Sequence, residues 1–141
     1  MRAIKYVLVG LSVAGVAFYL HAQTSKPAQI YVINDTEKPV YVGLYTYNKV
    51  DKRYLMQSYQ KKEEGILQTY FRKSKINVRK RHTLSGHYPG LLVVSSKTLK
   101  TKISREEFNK EFRFSHKEIA RKNKQTMKVV QDKDGTLKVQ K

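Results

Sequence analysis

The chain contains no cysteine and no tryptophan, and it has only three prolines among its 141 residues. The lack of cysteine excludes disulfide bonds, thiolate zinc sites, iron–sulfur clusters and catalytic thiols. Acidic residues are also scarce: 11 Asp and Glu stand against 29 Lys and Arg, which gives a formal net charge of +18 at pH 7. Because 40% of the residues are hydrophobic and 11% are aromatic, the composition is that of one folded, basic domain rather than a disordered polyelectrolyte.

Residues 1–22 form a distinct N-terminal segment. Two cations precede an uncharged run of 15 residues from Tyr6 to Leu20, and the small residue Ala22 follows. A positive start, an apolar centre and a small residue at the exit are typical of a secretory signal peptide. The pattern predicts cleavage after Ala22 and export, to the periplasm or as a secreted protein. The alternative is an uncleaved membrane anchor formed by residues 3–22, although 15 uncharged residues are short for a span.

Residues 23–103 contain short runs of β-branched and aromatic residues separated by turn-forming residues, a pattern that predicts strands. Six such strands, without a long helical stretch between them, indicate a mainly β fold. The expected fold is a small antiparallel β-sandwich or barrel of about six to eight strands. The predicted strands are residues 29–34, 40–47, 53–60, 66–73, 75–82 and 91–96.

The composition changes after Ile103. Apolar residues fall from 30 of 76 in residues 28–103 to 10 of 38 in residues 104–141. Ser104 and Glu107 have the spacing of a capping box, and Ser115 and Glu118 repeat it, so one or two short helices are predicted near residues 104–124. Two apolar segments flank residues 132–135 and predict a closing hairpin. Residues 104–141 are therefore expected to be a lightly packed, cationic appendage of the 23–103 core.

The most unusual feature is a stretch of 41 residues between Glu64 and Glu106 that contains no carboxylate. If residues 75–82 form a strand, several of its cations project from one face and concentrate a positive potential. Arginine can bind phosphate or carboxylate groups with two hydrogen bonds. The alternative is a solvated face that keeps an edge strand from aggregating. The predicted anion-binding residues are Arg72, Lys73, Lys75, Arg79, Lys80 and Arg81.

The tyrosines of the predicted strand 40–47 suggest a second surface. Tyr41, Tyr45 and Tyr47 fall on one face, and Gly43 leaves a gap in which a ligand or a neighbouring backbone could sit. Such a row is a possible aromatic platform for sugar rings. The alternative is that the tyrosines form half of a hydrophobic core or pair across strands.

Residues suited to catalysis are few. His82 and His87 lie near Ser85, but no Gly-x-Ser-x-Gly elbow surrounds that serine. A zinc site would need a third ligand, and the positive surroundings oppose a cation. The paired glutamates at 63–64 and 106–107 suit a turn and a helix start better than an acid–base pair. The sequence therefore predicts no catalytic residue, no metal site and no cofactor.

These observations predict an exported, non-enzymatic binding module whose basic surface engages an anionic envelope partner. The expected partner is an anionic polymer such as a polysaccharide, the lipid head groups of an anionic membrane surface, or an acidic protein. Nucleic acid is not expected, because its ordinary targets are cytoplasmic and no RNP-like signature, zinc finger or helix-turn-helix occurs. The first alternative is a structural or adaptor protein that binds a protein through a sheet edge or through residues 104–141. The second is a small hydrolase built on His82, His87 and a serine.

Overall fold

A computed structural model describes residues 27–141, and the predicted signal peptide or anchor in residues 1–22 lies outside that range. The described part of the chain is mainly β, with twelve strands and one helix, α1 (Arg105–Glu111). Within it, no helix is long and apolar enough to cross a membrane. The strands are β1 (Ala28–Asn34), β2 (Val40–Asn48), β3 (Arg53–Met56), β4 (Ser58–Glu63), β5 (Ile66–Phe71), β6 (Lys73–Ile76), β7 (Arg81–Gly86), β8 (Leu91–Ser95), β9 (Lys102–Ser104), β10 (His116–Glu118), β11 (Lys124–Gln131) and β12 (Leu137–Gln140).

Four strands form one sheet in the order β12-β11-β1-β7. The central pair, β1 and β11, runs parallel, with Gln29 opposite Lys124 and Asn34 opposite Val129. The two outer strands, β7 and β12, are antiparallel to their neighbours. The first strand and a strand near the end of the described chain therefore form the middle of this sheet.

The second sheet has six strands and is organised around the long strand β2. On one side β2 pairs with β8, and on the other side β6 and β3 share its length. Val40–Gly43 pair with β6, whereas Tyr45–Asn48 pair with β3. Because β3 and β6 occupy the same side of β2, the chain between them leaves the sheet as a separate hairpin, β4–β5.

The main hydrophobic core contains buried residues from both sheets. Alternate positions of β1 are buried, so Ile30 and Val32 point to one side of their sheet. They belong to the same cluster as Val42 and Leu44 of β2. The other members of this core are Val40, Ile76, Leu84, Leu92, Val94, Ile119, Met127, Val129 and Val139.

A second, smaller core involves α1. Ser104 is the N-cap of α1, and its hydroxyl accepts a hydrogen bond from the Glu107 N–H at 3.1 Å. The cap orients α1 so that Phe108 is buried, with its ring stacked 3.8 Å from that of Tyr54. This cluster also contains Tyr45, Met56, Val93, Ile103 and Phe112.

Several predicted elements are confirmed. The described residues are mainly β, α1 begins at its capping Ser104, and β11 pairs with β12 as the closing hairpin. The predicted second helix start at Ser115–Glu118 is wrong, because His116–Glu118 forms β10 and pairs with β8. Neither of the two larger sheets described closes into a barrel. The expected six to eight antiparallel strands also need correction, because the described residues contain twelve strands and β1 pairs with β11 in parallel.

Two further predictions need correction. Residues 104–141 are not an appendage, because β11 is an inner strand of the four-stranded sheet and Met127 and Val129 are fully buried. Residues 75–82 are not one strand either: β6 ends at Ile76, a turn follows, and β7 begins at Arg81. Arg79 lies in that turn with a φ of 62°, a left-handed conformation that interrupts a strand.

Candidate anion-binding cleft

Three backbone hydrogen bonds fix the root of the β4–β5 hairpin, two of them to Leu44 of β2 and one across the root itself. The Gln57 N–H donates to the Leu44 carbonyl at 2.7 Å, and the Leu44 N–H donates to the Arg72 carbonyl at 3.0 Å. The Arg72 N–H closes the ring by donating to the Gln57 carbonyl at 2.8 Å. Gln57 and Arg72 therefore mark the fixed points at which the hairpin leaves the sheet.

The side chain of Gln57 connects this root to the other sheet. Its Nε2 donates to the His87 carbonyl at 2.9 Å, and its Oε1 accepts from the His87 N–H at 2.8 Å. His87 directly follows β7, the outer strand of the four-stranded sheet. The hairpin root and the end of β7 are consequently held at a fixed separation.

A cleft of about 420 Å³ lies between the hairpin root and β7. None of its lining residues is acidic, and two of them, Arg72 and Lys73, are cations. Tyr59 and Phe71 supply aromatic surface, with 43% and 39% of their area exposed. The remaining lining residues are Pro27, His82, Thr83, Leu84 and Ser85.

Arg72 is oriented by the walls of the cleft. Its Nη1 donates to the Ser85 carbonyl at 2.9 Å, and its guanidinium carbon lies 4.8 Å from the centre of the Tyr59 ring. Its buried Nε makes no hydrogen bond within the described residues. Burial lowers the pKa of Arg72 from its ordinary value, and the neighbouring Tyr59 acts in the opposite direction. A guanidinium remains protonated in proteins, so Arg72 presents a partly desolvated positive charge, and its Nη2 makes no hydrogen bond within residues 27–141.

The predicted cations do not form one row. Lys75 lies on β6 of the six-stranded sheet, 5.8 Å from the Tyr41 ring centre, whereas Arg81 lies on β7 of the other sheet, 5.5 Å from the Tyr31 ring centre. Only Arg72 and Lys73 of the six predicted residues line the cleft. The expected single face is therefore wrong, because the turn after β6 carries the chain from one sheet to the other.

Arg79 is the one predicted cation whose charge is compensated within the described residues. It forms salt bridges with Asp35 and with Glu37, the latter at 2.9 Å. These acids lie more than forty positions earlier in the chain, so the carboxylate-free stretch around Arg79 does not reveal them. The predicted residues that form no salt bridge within residues 27–141 are Arg72, Lys73, Lys75, Lys80 and Arg81.

The tyrosines of β2 do not form an exposed platform. Tyr45 is fully buried, and its hydroxyl donates to the Lys100 carbonyl at 2.5 Å. The space beside Gly43 is taken by side chains, since a β-carbon there would lie 3.1 Å from Met56 and 3.3 Å from Leu99. The alternative assignment to a hydrophobic core is correct for Tyr45, whereas Tyr41 and Tyr47 are half-buried at the sheet surface.

The histidines occupy different surroundings. His82 lines the cleft, while His116 lies on β10, where its Nδ1 is 2.7 Å from the Phe112 carbonyl. Burial lowers the pKa of His87, and the positive charge of Arg72 lowers it further. Within residues 27–141, no three His, Asp or Glu side chains come together as they would around a metal ion.

Sequence reasoning singled out Arg72 and Lys73, which line the cleft, but it did not single out Tyr59. Tyr59 and Phe71 are separated by the hairpin turn at Glu64 and Gly65, both of which have positive φ angles. This turn brings β4 and β5 together and leaves the hairpin paired with no other strand of the described chain. The available signal was the pair of strands around a Glu-Gly turn, across which Tyr59 pairs with Tyr70.

The chain matches no protein-family model, no curated protein and no solved structure. The geometry and charge of the cleft are therefore the features that bear on the function of the protein.

Proposed function

We propose that this protein is an exported, non-enzymatic binding module whose basic surface engages an anionic partner at the cell envelope. The observation that carries the proposal is the cleft between β7 and the hairpin root, in which Arg72 and Lys73 face no carboxylate. An oriented arginine with an unused donor suits a carboxylate, sulfate or phosphate oxygen.

The finer architecture follows from the shared core. We propose that the two larger sheets form a β-sandwich, since the buried residues of β1, β2, β7, β8 and β11 belong to one cluster. In this arrangement the two sheets support opposite sides of the cleft: the hairpin root extends from the six-stranded sheet, and β7 belongs to the other. A rigid support of this kind favours a preformed binding site.

The proposed location rests on residues 1–22, whose sequence is typical of a secretory signal. Export would place the basic surface among anionic lipids, polysaccharides and acidic proteins. A mature form without disulfides suits the periplasm, and retention of residues 3–22 would anchor it to the membrane instead.

The adaptor hypothesis is supported by a different observation. The hairpin exposes 62% of Ile66 and 61% of Leu67, and neither residue belongs to the two hydrophobic cores. Exposed apolar side chains beside unpaired strand edges suit contact with a protein. Deletion of residues 104–141 is not a fair test of this hypothesis, because it would remove β11 from the four-stranded sheet.

The proposed function is tested by retention of the purified protein on a heparin matrix across a salt gradient. One variant, called the cleft variant, replaces the two cleft cations Arg72 and Lys73 with Gln, together with Lys75 of β6 and Arg81 of β7. A matched control replaces four exposed lysines elsewhere. Both variants lose four positive charges, so a difference between them reports position rather than net charge. The control lysines, none of which forms a salt bridge within the described chain, are Lys110, Lys117, Lys122 and Lys128.

The expected result is that the cleft variant elutes at clearly lower salt than the control, with both melting like the unmodified protein. Equal loss of retention in the two variants would mean that the positive charge is diffuse. The binding-module proposal would then fail, and the adaptor hypothesis would take its place.

A further inference from the structure

The outer edge of β7 has backbone groups that point away from its sheet. The Asn34 N–H donates to the Lys80 carbonyl at 2.9 Å, just before β7 begins. In an antiparallel ladder, every second residue forms its backbone hydrogen bonds with the neighbouring strand. The backbone groups of the residues between them point to the other side of the strand. Given the register between β1 and β7, the residues whose backbone N–H and carbonyl groups point away from β1 are Arg81, Thr83 and Ser85.

One of these outward backbone groups already forms a hydrogen bond with a side chain rather than with a strand. The Ser85 carbonyl accepts from Arg72 Nη1 at 2.9 Å. The backbone N–H and carbonyl of Thr83 make no hydrogen bond within residues 27–141. The edge contains no proline, so it lacks one of the features that commonly prevent a strand from adding to a sheet.

The cleft supplies the side-chain contacts that an added strand would need. A segment paired with β7 would run between Thr83 on one side and the aromatic residues Tyr59 and Phe71 on the other. An added strand gains affinity from backbone hydrogen bonds and specificity from pockets for its alternate side chains. Apolar side chains of the segment would therefore meet Tyr59 and Phe71.

The charge of the cleft determines the polar part of the partner. Arg72 and Lys73 lie beside the edge, and Arg81 belongs to β7 itself, while no acidic residue lines the cleft. A carboxylate on the added segment would meet the guanidinium of Arg72, whose Nη2 makes no hydrogen bond within residues 27–141. A basic or neutral segment would leave these cations uncompensated.

Taken together, the unpaired edge and the cationic, aromatic cleft point to β-strand addition: we infer that β7 binds an extended segment of a partner protein in which acidic and apolar residues alternate. This inference rests on the proposed function and narrows its anionic partner to an acidic peptide. Lipid head groups or polysaccharide anions could neutralise Arg72 and Lys73, but neither offers the alternating N–H and carbonyl groups that pair with Thr83.

The test uses a fluorescent synthetic peptide of alternating glutamate and valine, long enough to cover β7, with binding followed by fluorescence anisotropy. Two further peptides carry backbone N-methyl groups, one at the valines and the other at the glutamates. Methylation keeps charge and side chains but removes the hydrogen-bond donors. We expect the unmodified peptide to bind and at least one methylated peptide to bind about tenfold more weakly.

The matching protein variant is Thr83→Pro, which removes an outward N–H from β7 without removing a bond to β1. We expect this variant to bind the peptide about tenfold more weakly than the unmodified protein does, with the melting temperature as a check on folding. The methylated peptides test the inference independently if this variant fails to fold.

The outcomes separate this inference from the proposed function. Equal binding of all three peptides, or no peptide binding while the cleft variant still loses heparin retention, would overturn strand addition and leave the basic site in place. Tighter binding to phosphatidylglycerol vesicles than to the peptide would overturn it in favour of a membrane partner. If the matched control lost as much heparin retention as the cleft variant, the basic site itself would be refuted instead.

Discussion

Replacement of Asn34 by alanine should destabilise the fold severely, because this side chain joins two turns inside the protein. Asn34 is fully buried at the end of β1, and its Nδ2 donates to the Lys38 and Ile76 carbonyls at 2.9 Å each. It also donates to the Asn77 carbonyl at 3.2 Å. Its Oδ1 accepts from both the backbone N–H and the hydroxyl of Thr36, at 3.0 and 2.6 Å. The turn after β1 is thereby connected to the turn after β6.

The expected loss follows from the groups that alanine would leave behind. A typical hydrogen bond contributes about 0.5–1.5 kcal/mol net, and a buried polar group left unpaired costs about 1–3 kcal/mol. Asn34→Ala removes several hydrogen bonds and leaves at least one buried partner unpaired. We therefore expect a loss of about 3–4 kcal/mol in the free energy of unfolding. For a domain of this size, that corresponds to a fall of roughly 10–15 °C in melting temperature.

The assay is equilibrium unfolding in urea, followed by circular dichroism, with Thr36→Val as the control. That variant removes only the hydroxyl of the network and should cost about 1 kcal/mol. Two-state unfolding with an unchanged slope against urea would show that native stability was altered rather than the unfolded ensemble. A loss below about 1 kcal/mol for Asn34→Ala would refute the argument that this network holds the two turns together.

Three smaller changes test other contacts. Tyr45→Phe removes the hydroxyl that donates to Lys100 and should cost about 1 kcal/mol in urea unfolding, whereas an unchanged midpoint would argue against that bond. Ser104→Ala removes the cap of α1 and should cost about 1 kcal/mol, with Ser104→Asp retaining most of the stability; equal losses would contradict capping. The pKa of His87 is lowered from its ordinary value of 6.5, so the unfolded chain binds the proton more readily and stability falls as pH drops below about 6.5. His87→Gln should make that fall shallower in melting temperatures measured across this range, and an unchanged slope would count against the assignment.

The features that sequence reasoning predicted correctly are those encoded locally. A run of β-branched and aromatic residues bounded by a turn predicted β1, and the spacing of Ser104 and Glu107 predicted the start of α1. The closing hairpin followed from two apolar segments around a turn. In each case the determining residues lie within one element or one turn of each other.

The features it missed depend on distant parts of the chain. The parallel pairing of β1 with β11 leaves no local pattern, so residues 104–141 resembled an appendage. The sequence leaves open whether Tyr45 lies on a surface or in a core because both faces of β2 are apolar, and only the packing of α1 and its neighbours decides which face is buried. Similarly, Arg79 looked unpaired because Asp35 and Glu37 approach it only after folding.

For the cleft, the sequence identified its charge but not its shape. A stretch without carboxylates pointed to Arg72 and Lys73, which do line the cleft. The position of Tyr59 depends on the hairpin turn, and the neighbouring edge of β7 depends on the strand order of the other sheet. These are properties of topology, which a local pattern does not contain.

The pairing of β1 with β11 has a consequence for how the protein folds. Its contacts join residues separated by almost the whole described chain, so this sheet has a high contact order and a large entropic cost of closure. During synthesis β1 is made well before β11. Until β11 is made, one edge of β1 has no partner strand and is exposed to other chains. The four-stranded sheet can therefore be completed only after β11 has been made, and a chain that stopped before residue 124 would lack the central strand pair of this sheet.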